Sequence, residues 1–409
     1  MTPTALAERT EPVVAPSPTG LEPPPDERRT RATGQRRRPW LRWVAIALLV
    51  LFTATGWSYY QALSYPGSAG WEMRTVEWLR AHGAGRTVDS IEVWYYTRHH
   101  PPTSGVPHGP FPEPLTTAQA ALVAQAQLHD ALPALDPAVR PSLREEAVWR
   151  PGRLGPGGTP ATYTTWFRPD PGHPTLVAGE LWLDPSQARL NLLAGTKDPG
   201  GGPWPGSAQV APSQRSSTLA AFNSGFLMSG AHGGFYENGH TVRRLRPGKA
   251  SVVISSDGRP TIAEWGRDFR STRGLAAVRQ NLALIVDHGR AVRGLTRNTH
   301  FSWGSRRSQL EYVWRSGVGV DAGGHLIYIA GNTFTLKTLA AALVQAHAVR
   351  AMELDIHNDM VTANLFTPNP NHPGQVRAVK LLPQMPRPAT RYLQPDQRDF
   401  FTVQLRPLP

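Results

Sequence analysis

The chain has 409 residues, which fits one large domain or two smaller ones and allows a sizeable buried core. Hydrophobic residues make up 40% of the chain and charged residues 18%, a composition that excludes wholesale disorder. The absence of cysteine excludes disulfides, thiolate metal sites and cysteine nucleophiles. The net charge of +13 favours anionic partners such as a membrane, a phosphorylated polymer or a nucleic acid.

The first 63 residues predict a tail followed by a membrane anchor. Residues 1–39 contain repeated prolines and almost no large apolar side chains, which predicts a disordered cytoplasmic tail. Residues 40–63 contain an uncharged apolar run flanked by tryptophans and tyrosines, which predicts a single transmembrane helix. Arginines before this run orient the amino end towards the cytoplasm. A cleaved signal peptide is the alternative.

The rest of the chain is therefore expected outside the cytoplasm, at the cell membrane, with no nucleic-acid partner. Residues 64–160 are predicted to form an N-terminal extracytoplasmic region. Apolar spacing predicts helices at 71–83 and 116–132. The β-branched and aromatic run at 91–97 predicts a strand, and the prolines of 99–114 predict a loop.

From residue 161 the pattern changes to short strands separated by turns. Strands are predicted at 161–168, 176–184, 189–194, 219–223, 250–255, 260–264, 282–287, 317–321, 325–330 and 350–356. One amphipathic helix is predicted at 335–348. Many strands and few helices predict an α+β fold for residues 161–409, with a mixed β-sheet and flanking helices.

Two glycine-containing segments are candidates for ligand binding. In LAAFNSGF (219–226), Asn223 ends an apolar strand where its side chain can donate to an anionic oxygen, and Gly225 permits close approach of a ligand. An ordinary Asn-Ser-Gly turn is the alternative. GAHGGFYENGH (230–240), which includes Gly234, fits either a sugar-binding platform or a hairpin.

Two arginines and one acidic cluster complete the candidate set. Arg279 and Arg315 each lead into an apolar strand, where a guanidinium can bind phosphate with two parallel hydrogen bonds or simply face solvent. In MELDIHNDM (352–360), alternation predicts that Glu353, Asp355 and His357 share one strand face. Such a cluster can transfer protons or bind a divalent cation, and a solvated strand face is the alternative. The metal question is left open, and no other cofactor is indicated.

These segments, in this order, resemble the phosphodiester glycosidase family, the relatives of the uncovering enzyme that removes N-acetylglucosamine from a phosphodiester. The resemblance is carried by AFNSGF, GGFYENG, WRSGVGVD with HLIYIAG, and TLKTLAAALVQAHAVRAMELD. The family core corresponds to about 215–365. The chain looks most similar to a membrane-anchored actinobacterial branch, over most of 70–365.

The resemblance implies hydrolysis of a sugar–phosphate diester at the anomeric carbon by an α+β domain. By position, Asn223 and Gly225 fall in the family's Asn-Gly-Gly-type turn, Arg315 in its Arg-x-x-x-Gly strand, and Asp355 in its Leu-Asp strand. The chain departs from the family after this Leu-Asp, where Ile-His-Asn-Asp replaces Gly-Gly-Gly-Ser, and Ser224 replaces a customary glycine.

The chemistry of the reaction suggests a role for each candidate. Cleavage gives the sugar oxocarbenium character and releases phosphate, so the two arginines and Asn223 would stabilise negative charge. Asp355 or Glu353 would activate water, with His357 as an alternative base. The expected function is a membrane-anchored extracytoplasmic hydrolase that cleaves a sugar phosphodiester of an envelope glycoconjugate. The alternative is a non-catalytic binding module for anionic cell-wall polymers.

Overall fold

The computed structural model describes residues 39–109, 114–128, 132–204, 206, 208–298, 300–304, 307–372 and 374–407. The predicted disordered tail therefore lies outside the described residues, apart from its last residue. The chain divides into two compact units, Met1–Gly56 and Trp57–Pro409.

The helices are few and lie mostly in the first third of the chain. The described α-helices are α1 (Pro39–Ser64), α2 (Trp71–Leu79), α3 (Gly85–Tyr96), α4 (Thr117–Leu128), α5 (Met228–Ala231) and α6 (Leu336–Gln345). Within α1, Trp40–Ser64 is a 25-residue apolar stretch with a mean hydropathy of 1.5. By length and composition it is a candidate membrane span or signal sequence.

The predicted strand at 91–97 is wrong, because these residues belong to α3 and the turn that ends it. The predicted stop at Gly83 is only a kink, where φ is +89° in a π-type turn (Arg80–Ala84) that joins α2 to α3. Arg80 forms ion pairs with Asp89 and Glu92, two side chains on successive turns of α3. These contacts favour the helix over the strand preference of the β-branched and aromatic residues, which depends strongly on context.

Strands dominate the rest of the molecule. They are β1 (Arg150–Pro151), β2 (Thr162–Phe167), β3 (Ala178–Leu183), β4 (Ala188–Leu193), β5 (Thr218–Asn223), β6 (Phe235–Glu237), β7 (His240–Arg243), β8 (Ala250–Ser255), β9 (Pro260–Glu264), β10 (Leu275–Gln280), β11 (Leu284–Asp287), β12 (Arg290–Ala291), β13 (Val313–Val320), β14 (Leu326–Phe334), β15 (Arg350–Ile356), β16 (Ala363–Pro368), β17 (Val376–Lys380) and β18 (Phe400–Leu405).

These strands form three sheets. The 8-stranded sheet has the order β1-β2-β3-β14-β13-β15-β11-β12, and the two 5-stranded sheets have the orders β7-β6-β10-β8-β9 and β17-β16-β5-β18-β4. We call them the first, second and third sheets. The α+β expectation with few helices is confirmed. A sheet with both parallel and antiparallel neighbours was expected, whereas the hydrogen-bonded neighbours among the described strands run antiparallel. Strands β14 and β15 run in the same direction, but they lie on opposite sides of β13 and are joined by α6.

The largest hydrophobic core lies where the three sheets meet. It includes Val318 and Leu354 of the first sheet, Val252 of the second and Phe222 of the third, all with at most 1% of their surface exposed. Helix α6 packs against the first sheet in a second core cluster. The ends of β5, β10 and β15 and the residues before β18 are linked by buried hydrogen bonds at this junction, and the candidate site lies over them.

Candidate functional site

A cavity of about 410 Å³ lies between the sheets and the helical segment that precedes them. The sheet side consists of Lys197, Asp198, Leu227, Gln397 and Arg398, and the helical side consists of Ser58, Gln61, Ala62, Tyr65, Arg74, Glu77, Trp78, Ala81 and His82. Ligand pockets in proteins commonly have volumes of about 300–1,000 Å³. The cavity is therefore large enough for a small polar ligand, with both an acid and cations at its wall.

A second concavity, of about 500 Å³, lies on the second sheet and is a weaker candidate. Its charged lining residues Glu264 and Arg267 have side chains 34% and 38% exposed, and they pair with each other at 3.4 Å. Exposed pairs of this kind are common surface features and contribute little energy. The cavity of about 410 Å³, by contrast, has a buried network of charged residues directly behind its wall.

Backbone contacts between two loops bring Asp198 and Arg398 to the same wall. The amide of Asp198 donates to the carbonyl oxygen of Gln397 at 2.9 Å, immediately before Arg398. At Gly195 an added Cβ atom would lie 2.4 Å from the same Gln397 oxygen, so this close approach requires glycine. The loop that carries the acid is thus held directly against the segment that carries the guanidinium.

Asp198 has the environment of an acid–base group. Its side chain is 13% exposed, and its carboxylate accepts weakly from the Met228 amide at 3.3 Å. Burial and the neighbouring Asp399 carboxylate raise the pKa of Asp198, while Arg398 and Arg279 oppose this rise. A carboxyl group that is partly accessible and has a raised pKa is suited to proton transfer near neutral pH.

Arg398 is held by protein contacts but keeps one Nη group with only weak contacts. One Nη group donates to the Asp355 carboxylate at 3.0 Å and to the Gly225 carbonyl at 3.1 Å. The other lies 3.9 Å from the Glu77 carboxylate. The Nε group is buried and has no hydrogen-bond partner among the described residues. Because the Nε group is buried, the donor that can reach an anionic ligand is this second Nη group, whose contacts among the described residues are the Glu77 carboxylate at 3.9 Å and the Met360 sulfur at 3.5 Å.

Asp355 lies behind Arg398 rather than at the cavity wall. Its Oδ1 accepts from the Ile356 amide at 2.9 Å, and burial raises its pKa to about 6 although Arg398 opposes the rise. Asn223 supports this strand, since its amide donates to the Ser316 hydroxyl at 2.9 Å, and that hydroxyl donates to the Asp355 carbonyl at 3.1 Å. Asp355 and Asn223 thus position Arg398 and its surroundings.

Arg279 lies next to the last residue of β10 and binds a buried acid. Its Nε donates to Asp399 at 2.7 Å, and the Ser224 hydroxyl donates to the same carboxylate at 2.6 Å. The side chains of Arg279 and Asp399 are 1% and 0% exposed. Because Arg279 also lies 4.0 Å from Asp198, it acts on the cavity through the acid and does not reach a ligand itself.

Arg315 and Glu353 form a separate buried ion pair. Arg315 Nη1 donates to Glu353 Oε1 at 2.6 Å, and Arg315 Nε donates to the Phe334 carbonyl at 2.8 Å. Its remaining donor group binds the carbonyls of Ser308 and Glu311, so every donor of Arg315 binds the chain itself. Both side chains are 1% exposed, and neither lines the cavity. The predicted phosphate contact by Arg315 has no support in this geometry.

His357 lies apart from both acids. Its φ of +75° ends the strand alternation, so the predicted common face of Glu353, Asp355 and His357 does not form. Its Nε2 lies 3.6 Å from the Glu92 carboxylate, and its side chain is 26% exposed. Burial and the nearby Arg80 lower the pKa of His357 to about 3. The three ionisable residues therefore face three different partners.

The space next to each of the two candidate glycines is filled by protein atoms and is not open to a ligand. A Cβ atom on Gly225 would lie 2.8 Å from the Asn281 side chain, and one on Gly234 would lie 2.5 Å from the Arg244 carbonyl oxygen. The segment that follows Gly234 forms the β6–β7 hairpin, which was the alternative to a sugar-binding platform. Within the described residues, no group of three or more His, Asp or Glu side chains is arranged to hold a metal ion.

Sequence reasoning did not find Asp198, Arg398 or Asp399. Asp198 lies in a segment that reads as a Pro/Gly-rich turn, and the other two lie beyond the motifs of the family. A weak indication existed, because an Arg-Asp pair directly precedes FFTVQL, the alternating run that becomes β18. Arg398 and Asp399 gain their roles by pairing with Asp355 and Arg279, which are distant from them in sequence.

The solved structures that are similar to this chain include proteins from three organisms. The catalytic domain of zebrafish N-acetylglucosamine-1-phosphodiester alpha-N-acetylglucosaminidase, auto-inhibited by its pro-peptide, is 15% identical with a TM-score of 0.41, covering 63% of this chain and 87% of that one. A hypothetical protein from Synechocystis is 14% identical (TM-score 0.37, 61% and 63% covered). A putative exported protein from Burkholderia pseudomallei is 13% identical (TM-score 0.30, 80% and 89% covered).

No curated protein sequence matches the chain. A family model does match, over the segment that begins at β5 and ends just after β15. This segment contains Asn223, Arg279 and Asp355 but neither Asp198 nor Arg398. Residues 216–361 of the chain match the model of the phosphodiester glycosidase (NAGPA) family, as the motifs indicated.

Proposed function

We propose that this protein is a membrane-anchored extracytoplasmic hydrolase that cleaves the glycosyl–phosphate bond of a sugar phosphodiester in an envelope glycoconjugate. The observation that carries the proposal is the presence of the Asp198 carboxyl and the Arg398 guanidinium at one cavity wall. The family match at 216–361 supports the reaction class. The apolar helix α1 supports the anchoring.

The reaction follows from the charges at this wall. Arg398 donates to the non-bridging oxygens of the phosphodiester, and Lys197, whose ammonium lies 3.8 Å from the centre of the Tyr65 ring, adds positive charge nearby. A water molecule attacks the anomeric carbon, and the bond from that carbon to the phosphate oxygen breaks with its electrons leaving on phosphate. Asp198 accepts the proton from the water. The products are the free sugar and a phosphomonoester.

The remaining network keeps these groups in position. Asp355 fixes Arg398, while Asp399 and Arg279 set the charge around Asp198. Asp355 is therefore a positioning residue in this proposal, and its loss should weaken substrate binding more than the chemical step. Glu353 and His357 take no part, because neither lines the cavity.

The test is hydrolysis of sugar phosphodiesters by the purified full-length protein in detergent, with release of the phosphomonoester as the readout. We expect Asp198→Asn to lower kcat by about 10²–10⁴-fold and Arg398→Met chiefly to raise KM. Asp257→Asn, which removes an exposed carboxylate with 53% of its side chain in solvent, is the matched control and should leave both constants unchanged. Full activity of Asp198→Asn would refute the catalytic assignment.

A second candidate, a binding module for anionic wall polymers, is favoured by the net charge of +13 and by the cations Lys197 and Arg398 at the cavity. Exposed cations bind polyanions in a salt-dependent manner. Retention of wall polymer that is lost in high salt, without any released sugar or phosphomonoester, would favour this candidate over the hydrolase.

A further inference from the structure

Helix α3 has an exposed aromatic face whose ring contacts, among the described residues, are with its own neighbours in sequence: Trp94 with Arg98, and Tyr95 with Tyr96 and His99. Ile91, Trp94 and Tyr95 are 60%, 55% and 47% exposed, and their spacing of three and four residues puts them on one side of the helix. Thr87, one turn earlier at the centre of the same face, is also exposed. An isolated exposed apolar residue is ordinary, but a contiguous aromatic face is typical of an interaction surface.

The charges on α3 are distributed unevenly around the helix. Both acidic residues, Asp89 and Glu92, form ion pairs with Arg80. Next to the exposed face, in the turn that follows the helix, lies Arg98, whose guanidinium is 5.0 Å from the centre of the Trp94 ring. An outward face with aromatic residues and arginine, and with its acids neutralised elsewhere, is the composition of a helix that lies in the interface of an anionic bilayer.

The position of α3 in the chain brings it near the end of α1. Six residues (65–70) link α1 to α2, which limits their span to roughly 20 Å. Within the second unit, the Tyr59 hydroxyl lies 2.8 Å from Thr75 Oγ1, and the Tyr59 and Trp78 rings are 5.1 Å apart, so α2 packs against the last turns of α1. Only a five-residue turn separates α2 from α3.

We propose that the face of α3 formed by Thr87, Ile91, Trp94 and Tyr95, together with Arg98 just beyond the end of the helix, lies in the headgroup region of the membrane that α1 anchors. This inference rests on the anchoring stated in the proposed function, and not on the hydrolase activity. The face then supplies a second membrane contact beside the anchor. Two such contacts fix the orientation of the extracytoplasmic domain, whereas a single helix would leave it free to rotate.

The absence of native cysteine permits a direct test. The full-length protein would carry one cysteine, from Thr87→Cys on the proposed face or from Ser256→Cys in the exposed turn between β8 and β9. Each would be labelled with an NBD fluorophore and reconstituted, one molecule per disc, in nanodiscs containing phosphatidylglycerol. Nitroxide-bearing lipid would serve as the quencher, with the same discs lacking nitroxide as reference.

We expect at least about twofold quenching at Thr87→Cys, because an interfacial helix lies about 5–10 Å into the headgroup and acyl boundary. Ser256→Cys should show none. Adding Trp94→Glu to the Thr87→Cys protein should remove most of the quenching while the exposed position leaves unfolding unchanged.

Four results would overturn the inference. Equal quenching at both positions would show contact without the proposed face, and no quenching in discs that retain the protein would refute the inference alone. Burial of the probe only in discs that hold two copies would assign the face to a second molecule of this chain. Failure of the protein to remain in the discs would refute the anchoring and the inference together, whatever the hydrolase assay shows.

Discussion

Removal of the Asp399 carboxylate should be among the most destabilising single changes in this protein. Asp399 accepts from Arg279 at 2.7 Å and from Ser224 at 2.6 Å, with the arginine only 1% exposed. In Asp399→Ala the guanidinium would remain buried without its hydrogen-bonded carboxylate, and the acid left beside it would be Asp198 at 4.0 Å. Breaking a buried pair in this way costs about 3–5 kcal/mol of the free energy of unfolding.

The assay is equilibrium unfolding of the full-length protein by urea in mild detergent, followed by tryptophan fluorescence. A loss of about 3–5 kcal/mol lowers the urea midpoint by roughly 1–2 M if the m-value is about 3 kcal/mol per M. Asp257→Ala is the matched control, because its partner Arg259 lies 3.0 Å away with 57% of its side chain exposed. Pairs of that kind contribute at most about 1 kcal/mol.

The reasoning would be refuted if the two alanine variants unfolded at the same urea concentration. A double variant, Arg279→Met with Asp399→Leu, sharpens the test because it removes both charges together. We expect it to be more stable than Asp399→Ala, since replacing a whole buried pair by apolar residues avoids the uncompensated charge. A double variant as unstable as the single one would assign the loss to packing.

Three further predictions concern a pH dependence, a buried acid and a glycine. Burial raises the pKa of Asp355 to about 6, so between about pH 4 and pH 6 the folded protein keeps the carboxyl proton that the unfolded chain has already lost. The contribution of Asp355 to the free energy of unfolding therefore falls by about 3 kcal/mol as the pH rises through this range. Urea unfolding across that range should show a smaller decline for Asp355→Asn, and an equal decline would contradict the assignment. Glu180 is 0% exposed with both carboxyl oxygens lacking a partner among the described residues, so Glu180→Leu should raise the free energy of unfolding by about 1–3 kcal/mol. A lower thermal midpoint for this variant would show that the carboxyl is satisfied. Gly195→Ala should lower the free energy of unfolding by about 1–3 kcal/mol and reduce hydrolysis, because the added Cβ atom would overlap the Gln397 carbonyl oxygen. A variant with wild-type stability and wild-type activity would contradict the close approach.

The sequence predicted elements best where local pattern and burial agree. The apolar stripe of 335–348 predicts α6, because this helix buries one consistent set of side chains. The alternation around Leu354 predicts β15, although both faces of this strand are buried. It failed for α3, where ion pairs with Arg80 and an exposed aromatic face decide the structure. It also missed β17, a five-residue strand in which Arg377 and Val379 are exposed and the other three residues are only partly buried.

The candidate site was predictable only in part, for a different physical reason. Asp355 was predicted as a catalytic acid and Arg279 as a phosphate-binding arginine, whereas the structure places both in a buried charged network. Their partners Arg398 and Asp399 are 43 and 120 residues away in sequence. Spacing along one strand cannot show which arginine meets which acid. Glu353 and Asp355 are two residues apart, yet one pairs with Arg315 and the other with Arg398.

The location of β18 has a consequence for biosynthesis. This strand lies between β5 and β4 in the third sheet and hydrogen-bonds to both, and Arg398 and Asp399 directly precede it. The third sheet and the charged network therefore cannot assemble until the chain has been synthesised through residue 405 and has left the ribosome. A nascent chain interrupted before residue 398 would expose two unpaired strand edges and an uncompensated Arg279, which makes premature termination a source of aggregation rather than of partial activity.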